Sequence, residues 1–391
     1  MTLRERIEQE IRQRGPIPFS RYMQLCLYDP ELGYYARHVG QFGKAGDFYT
    51  SSDVHAVFGR LLARQFAEMW RSLASPDQIE ILELGPGRGL FAQDVLDWSE
   101  KKFPDFLRAL HYVLMETSPA LRERLQETLR RHLQSGKASV IALLKRCANQ
   151  GQTLPAAYKA VPSPVSRARI VFANEFFDAL PVEVVGSKGE LRIDLRDGQF
   201  LETWVPPSHE ELEFLDRYSV HPEPGERVEI PLLAQQYVAS VAQSLERGFV
   251  IVIDYGYTRN EQLAGRHRGT VMTYRQHSAS PNPYEAPGEQ DITSHVNFTA
   301  LAAAAEEHGM HAHQLLTQSQ FLMGIGEANQ FADAFEECRL PQERAKVTLQ
   351  LKHLVTPTGM GETFHVLVAS KGMDPASVAQ LSGLRFVRSL L

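Results

Sequence analysis

Cysteine is scarce: the chain carries three, Cys26, Cys147 and Cys338, far apart and without a C-x-x-C pair. That spacing excludes a disulfide framework and a thiolate zinc site, and it fits a reducing compartment. Long apolar runs are missing too. No stretch approaches the length needed to cross a membrane, so membrane insertion is not expected. The first residues set Arg4, Glu5, Arg6, Glu8, Glu10, Arg12 and Arg14 around Ile7 and Ile11. This reads as an amphipathic helix, since a signal peptide has an apolar centre and a transit peptide avoids acids. A cytoplasmic location is the expectation. Basic blocks are absent as well: 41 Lys and Arg stand against 47 Asp and Glu, a net charge of −6, which counts against a nucleic-acid surface. There is no G-x-S-x-G elbow, so a hydrolase of the α/β type would lack its nucleophile. No internal repeat or low-complexity tract is seen.

What is present suffices for a sizeable core: 43% hydrophobic residues in a chain of 391 suggest two or three domains, or one α/β core with large insertions. Four regions are expected. Residues 1–75 form a helical cap with a glycine-rich covering loop, Gly40 to Thr50. Residues 76–181 alternate strand and helix and give one half of a mostly parallel sheet. Residues 182–247 hold antiparallel strands and a helix. Residues 248–391 complete a sheet of about seven strands, and residues 257–296 carry glycine and proline with little periodicity, as a lid-like loop does. Particular strands are expected at Val140 to Leu144, Arg169 to Asn174, Gly248 to Asp254, Met310 to Leu316 and Phe364 to Ala369.

The most informative segment is Ile79-Glu80-Ile81-Leu82-Glu83-Leu84-Gly85-Pro86-Gly87-Arg88-Gly89-Leu90-Phe91, a buried strand running through a glycine turn into a helix. Glycines at alternate positions let the backbone turn tightly and approach a ligand. The dinucleotide fingerprint would need its third glycine at residue 90, which is Leu; here it is Gly89. The G-x-G-x-G form resembles motif I of S-adenosylmethionine (SAM) methyltransferases, and the carboxylate, sulfonium and adenosine of SAM need room but bring no pyrophosphate. A second strand, Tyr112 to Met115, ends at Glu116, which can accept from both ribose hydroxyls. Glu83, Gly85, Pro86, Gly87, Gly89 and Glu116 are the expected cofactor residues, with Thr50 reaching in from the N-terminal loop.

Chemistry is expected at Asn174, Glu175 and Asp178, just past an apolar strand, because open α/β sheets bind ligands beyond the carboxyl ends of their strands. Asn174 offers a donor and an acceptor, while Glu175 and Asp178 can hold a planar cation such as guanidinium. The same three residues would also serve as simple caps of the following turn. Asp254, Tyr255 and Asp291 are candidate substrate contacts. Methyl transfer is in-line displacement and needs mainly positioning, and no metal is expected. His311 and His313 alternate like ligands on a strand but lack a carboxylate or cysteine beside them.

The order of these pieces resembles the SAM-dependent MidA-like methyltransferases. The matching residues are Tyr28-Asp29-Pro30, Gly33-Tyr34-Tyr35, Gly46-Asp47-Phe48-Tyr49-Thr50-Ser51, Glu83 to Gly89, Glu116-Thr117-Ser118-Pro119, Asn174 to Pro181, Asp254-Tyr255-Gly256-Tyr257 and Asp291 to Val296. The resemblance implies a class I, Rossmann-like methyltransferase fold, SAM as cofactor and a protein arginine as acceptor. Mitochondrial members of that family are complex I assembly factors that methylate an arginine, so a respiratory complex I subunit is an implied target. A small-molecule methyltransferase and a weakly catalytic assembly or binding factor are the alternatives. The sequence leaves a homodimer open.

Overall fold

In a computed structural model of the chain, residues 1–37, 56–142, 168–275 and 278–385 are described. The expected covering loop, with Thr50, and Cys147 lie outside these residues. The described residues divide between two compact units. The first draws on Met1–Phe48, Phe176–Gln236 and Gly256–Leu301, the second on Tyr49–Glu175, Tyr237–Tyr255 and Ala302–Leu391. Among the described residues no helix is long and apolar enough to cross a membrane.

Among the described residues seventeen strands occur, numbered in chain order: β1 (Ile17–Pro18), β2 (Ile79–Leu84), β3 (Leu110–Glu116), β4 (Ala138–Ala142), β5 (Ala168–Asn174), β6 (Glu183–Gly186), β7 (Gly189–Arg196), β8 (Gln199–Val205), β9 (Arg227–Ile230), β10 (Arg247–Tyr257), β11 (Met272–Arg275), β12 (Ser278–Ser280), β13 (Asp291–Thr293), β14 (Val296–Asn297), β15 (His311–Ala312), β16 (Leu316–Thr317) and β17 (Phe364–Lys371). The second unit is organised by the order β15-β17-β10-β5-β2-β3-β4. The strands from β10 to β4 run parallel, and β17 is antiparallel to β10. Every residue of β2 is buried, as expected of a strand covered on both faces. The helix Leu90–Lys102 follows the glycine turn and buries Phe91, Val95 and Trp98. Phe91 stacks on Phe172 of β5 at 4.5 Å, and Phe66 of the helix Ala56–Ser72 meets Phe172 edge-on at 5.6 Å.

The first unit carries a sheet in the order β1-β7-β6-β9, with β8 also on β7. The β6–β7 hairpin falls in the stretch expected to hold antiparallel strands, with Val185 opposite Glu190. The helix Leu3–Arg14 starts at a capping box on Thr2 and stops at Gly15. Its buried Leu3, Ile7 and Ile11 join Phe19, Tyr22, Val184 and Ile193 in one core.

Two expectations differ from the fold. The segment 257–296 is not loop throughout: a helix Arg259–Leu263 and a three-stranded sheet β12-β11-β13 lie within it. These strands have three or four residues, too short for a period to show, and β11 finds its partner β13 well along the chain. The strand expected from Met310 to Leu316 is two bridges, β15 and β16, both on β17. Between them His313 keeps one amide bond to the Val368 carbonyl at 2.9 Å, and its Nε2 is hydrogen-bonded to Ser370 Oγ.

Phe172 sits where β5, the helix Leu90–Lys102 and the helix Ala56–Ser72 converge. Phe172→Ala leaves a cavity there and should cost roughly 3–5 kcal/mol, read as a lowered urea midpoint at unchanged slope. A cost under about 1 kcal/mol would show that this aromatic contact does not hold the layer together.

Candidate active site

The parallel ladders that join β2, β3, β5 and β10 stop at one level. Leu84 lies opposite Met115 on one side and Ala173 on the other, and Asn174 lies opposite Ile253. The residues that follow, Gly85 to Gly89, Glu116, Glu175, Asp254 and Tyr255, therefore leave the same edge of the sheet. Strand order reverses at β2: the chain runs outward through β3 and β4, then returns to β5 on the other side. Such a reversal is where open α/β sheets bind ligands.

The turn is built by backbone bonds. Gly85 donates its amide to the Met115 carbonyl at 3.1 Å, Gly89 to Pro86 at 2.9 Å, and Gln93 to Gly89 at 3.0 Å. Gly85, Gly87 and Gly89 all have positive φ, at 63°, 53° and 77°, where a Cβ is strained. A Cβ on Gly89 would strike Leu125 at 2.6 Å, so this glycine serves packing. A Cβ on Gly87 would meet nothing within 4 Å, so its backbone is open to approach.

Two carboxyls lie buried beside the turn. Tyr112 donates its hydroxyl to Glu83 Oε2 at 2.9 Å, yet burial, reinforced by the Glu116 charge, pushes the Glu83 carboxyl up to about 8. Burial likewise raises Glu116 to about 7. Glu116 Oε1 accepts the Ser118 amide at 2.8 Å and the Thr117 hydroxyl at 3.4 Å, which aims the carboxyl. Tyr112 was not singled out from the sequence. Its place shows only once register sets it opposite Ile81, two residues from Glu83 on the same face.

At the end of β5, Asn174 donates from Nδ2 to Glu175 Oε1 at 3.1 Å, and Asn174 Oδ1 is buried without a hydrogen bond among the described residues. Glu175 is held at φ 50°, with its amide bonded to the Ile253 carbonyl at 3.0 Å. A non-glycine residue in the left-handed region is strained, and such residues gather at functional sites. Asp254 is fully buried and accepts the Tyr255 amide at 2.9 Å.

Asp178 and Asp291 belong to the first unit, where both are buried. Tyr35 donates its hydroxyl to Asp291 Oδ1 at 3.0 Å, and Ser294 bonds its amide to the Asp178 carbonyl at 2.9 Å. Burial first, then the charges of Asp291 and Asp178 among others, hold Tyr35 protonated well above the usual phenol range. The same two carboxylates act on Tyr274. The sequence reading gave Tyr35 and Tyr274 no role. The pairing of Asp178 with Asp291 is a product of the fold. His311 and His313 are edge to face, and burial together with the His311 charge lowers His313 to about 4.

Comparison with known proteins settles the class. A family model described as S-adenosyl-L-methionine-dependent methyltransferase matches residues 61–316. The chain belongs to that family. The methyltransferase is 28% identical over 393 residues to the Drosophila melanogaster protein arginine methyltransferase NDUFAF7 homolog, mitochondrial, covering 95% of this chain and 85% of that one. It is 26% identical to the Homo sapiens protein arginine methyltransferase NDUFAF7, mitochondrial, covering 91% and 80%. A crystal structure of a COG1565 superfamily member from Burkholderia thailandensis, bound to S-adenosyl-homocysteine, superposes with a TM-score of 0.79 at 27% identity, covering 99% of this chain and 95% of that one. The fold is therefore that of the class I methyltransferases and the cofactor is SAM.

The residues present fit that cofactor. Gly87 offers an open approach, Glu116 ends the second strand as an acceptor, and Glu83 puts a buried acid beside the turn. Gly87→Val would fill the open space from a strained φ, and SAM affinity measured calorimetrically should fall by about tenfold or more; unchanged affinity would remove Gly87 from the site. The raised carboxyls give a second expectation. Their protons are held in the fold above the ordinary value of 4.5, so in cofactor-free protein their contribution to stability is complete below pH 4.5 and lost as pH rises through about 7 and 8. SAM carries net positive charge and favours the ionised acids. Titration near pH 7 in buffers of contrasting ionisation enthalpy should show proton release, reduced in Glu83→Gln. Heats independent of buffer would count against this coupling.

Proposed function

We propose that this methyltransferase transfers the methyl group of SAM to an arginine side chain of a protein, with a respiratory complex I subunit as the first acceptor to test. The observation that carries the reading is Glu175: a carboxylate strained at φ 50°, oriented by the Asn174 amide, at the edge where the cofactor turn leaves the sheet. The names of the fly and human relatives support an arginine acceptor.

SAM supplies an electrophilic methyl carbon on a sulfonium. Guanidinium is a poor nucleophile because its lone pairs are delocalised and it stays protonated at neutral pH. Glu175 accepts a hydrogen bond from one guanidinium nitrogen and draws positive charge toward it, which leaves the reacting nitrogen more nucleophilic; as the new N–C bond forms the methyl–sulfur bond of SAM breaks, S-adenosylhomocysteine leaves, and Glu175 takes up the proton lost. Asn174 fixes the Glu175 carboxylate. Within the first unit, Tyr35 sets the orientation of the Asp291 carboxylate. Asp254 and Tyr255 border the same sheet edge as Glu175. A cytoplasmic site of action belongs to this proposal, and the thiols Cys26 and Cys338 are free.

The test incubates wild type and Glu175→Gln with labelled SAM and the proteome of a strain lacking the gene, followed by amino-acid analysis. Wild type should place label in methylarginine. Glu175→Gln should bind SAM normally and lose transfer by roughly two orders of magnitude or more. Label confined to small molecules would replace the acceptor class, and full activity in Glu175→Gln would remove the assigned role.

A further inference from the structure

Away from the methyl-transfer residues, the first unit gathers three glutamates that come from different elements. Glu183 opens β6, Glu190 lies on β7, and Glu211 is the third residue of the helix His209–Tyr218. The register Val185 to Glu190 places Glu183 and Glu190 diagonally on one face of the hairpin. One oxygen from each of the three lies within 4.8 Å of the others. Like charges this close repel, and none of the three is an exposed surface acid: Glu190 is 4% exposed and Glu211 2%.

Their bonded partners account for only part of this. Glu183 accepts the hydroxyl and the amide of Ser20. Glu190 Oε2 accepts from Arg192 Nη2 at 2.9 Å, and Arg192 Nε lies 2.8 Å from Oε1 as an ion pair. Glu211 takes the Ser208 amide on Oε2 at 2.6 Å. Glu211 Oε1, however, is buried with no hydrogen bond among the described residues, an arrangement that leaves a desolvated oxygen unpaid by any protein donor. Three carboxylates against the Arg192 guanidinium leave two negative charges.

We propose that Glu183, Glu190 and Glu211 form a binding site for one hard divalent cation, which ties the β6–β7 hairpin to the helix His209–Tyr218. An all-carboxylate set selects Ca2+, Mg2+ or Mn2+ over softer metals. Three oxygens no farther than 4.8 Å apart need only small side-chain shifts to come within the roughly 2.3–2.6 Å of a shared Ca2+.

The experiment uses the full chain, stripped with chelator and dialysed at pH 8, then titrated calorimetrically with CaCl2, MgCl2 and MnCl2, with thermal melting in parallel. One of these cations should bind at one equivalent and raise Tm by roughly 5 °C at about a hundredfold excess over Kd. Binding should be lost in Glu211→Gln and, as a check that does not disturb a fully buried side chain, in Glu183→Gln. No binding by any of the three at millimolar concentration would overturn the proposal and leave the trio sharing protons. Undiminished binding in both folded variants would place the ion elsewhere and overturn it equally. SAM binding serves as the folding control, since none of the three glutamates is among the residues assigned to the cofactor.

Discussion

The parallel ladder of β2 with β3 and β5 governs where the chemistry can occur. Because Leu84, Met115 and Ala173 stand at one level, the polar residues after each strand emerge side by side, whatever the intervening helices do. Register also decides orientation. A slip of one residue would turn Glu83 and Tyr112 to the opposite face and part them. The Gly85 amide on the Met115 carbonyl extends that ladder into the turn, so the cofactor loop inherits its position from the sheet.

This edge is built against local preference. Glu83, Glu116 and Asp254 are buried acids, and burial alone would favour apolar side chains in their places. Glu175 stands in a conformation that suits glycine. The large apolar layer below, with Phe66, Phe91 and Phe172 in mutual contact, is what holds such residues in place. Stability gathered in the core is spent at the rim, where ligand chemistry needs charge and strain.

What could be read from the sequence was local. The glycine turn, Glu116 at the end of its strand, and the helix through Phe91, Val95 and Trp98 are each coded within a few residues, and their periods are clear. Features requiring two distant segments were not legible. Tyr112 against Glu83 needs strand register, Tyr35 against Asp291 needs the first unit assembled, and the Glu183, Glu190 and Glu211 trio needs both hairpin and helix. The short β11, β12 and β13 have no room for a period, and the splitting of β15 from β16 follows from how the chain crosses β17.

The segment composition of the two units bears on synthesis. Each is assembled from three separate stretches of chain, so neither becomes complete as an uninterrupted piece leaves the ribosome. The first unit has all its residues once Leu301 emerges. The second must wait for β17, which pairs with β10 from Gly248 to Tyr255. Until residues 364–371 are made, β10 presents an unpaired apolar border. Such borders invite pairing with other chains, and only the last part of translation supplies the strand that covers this one.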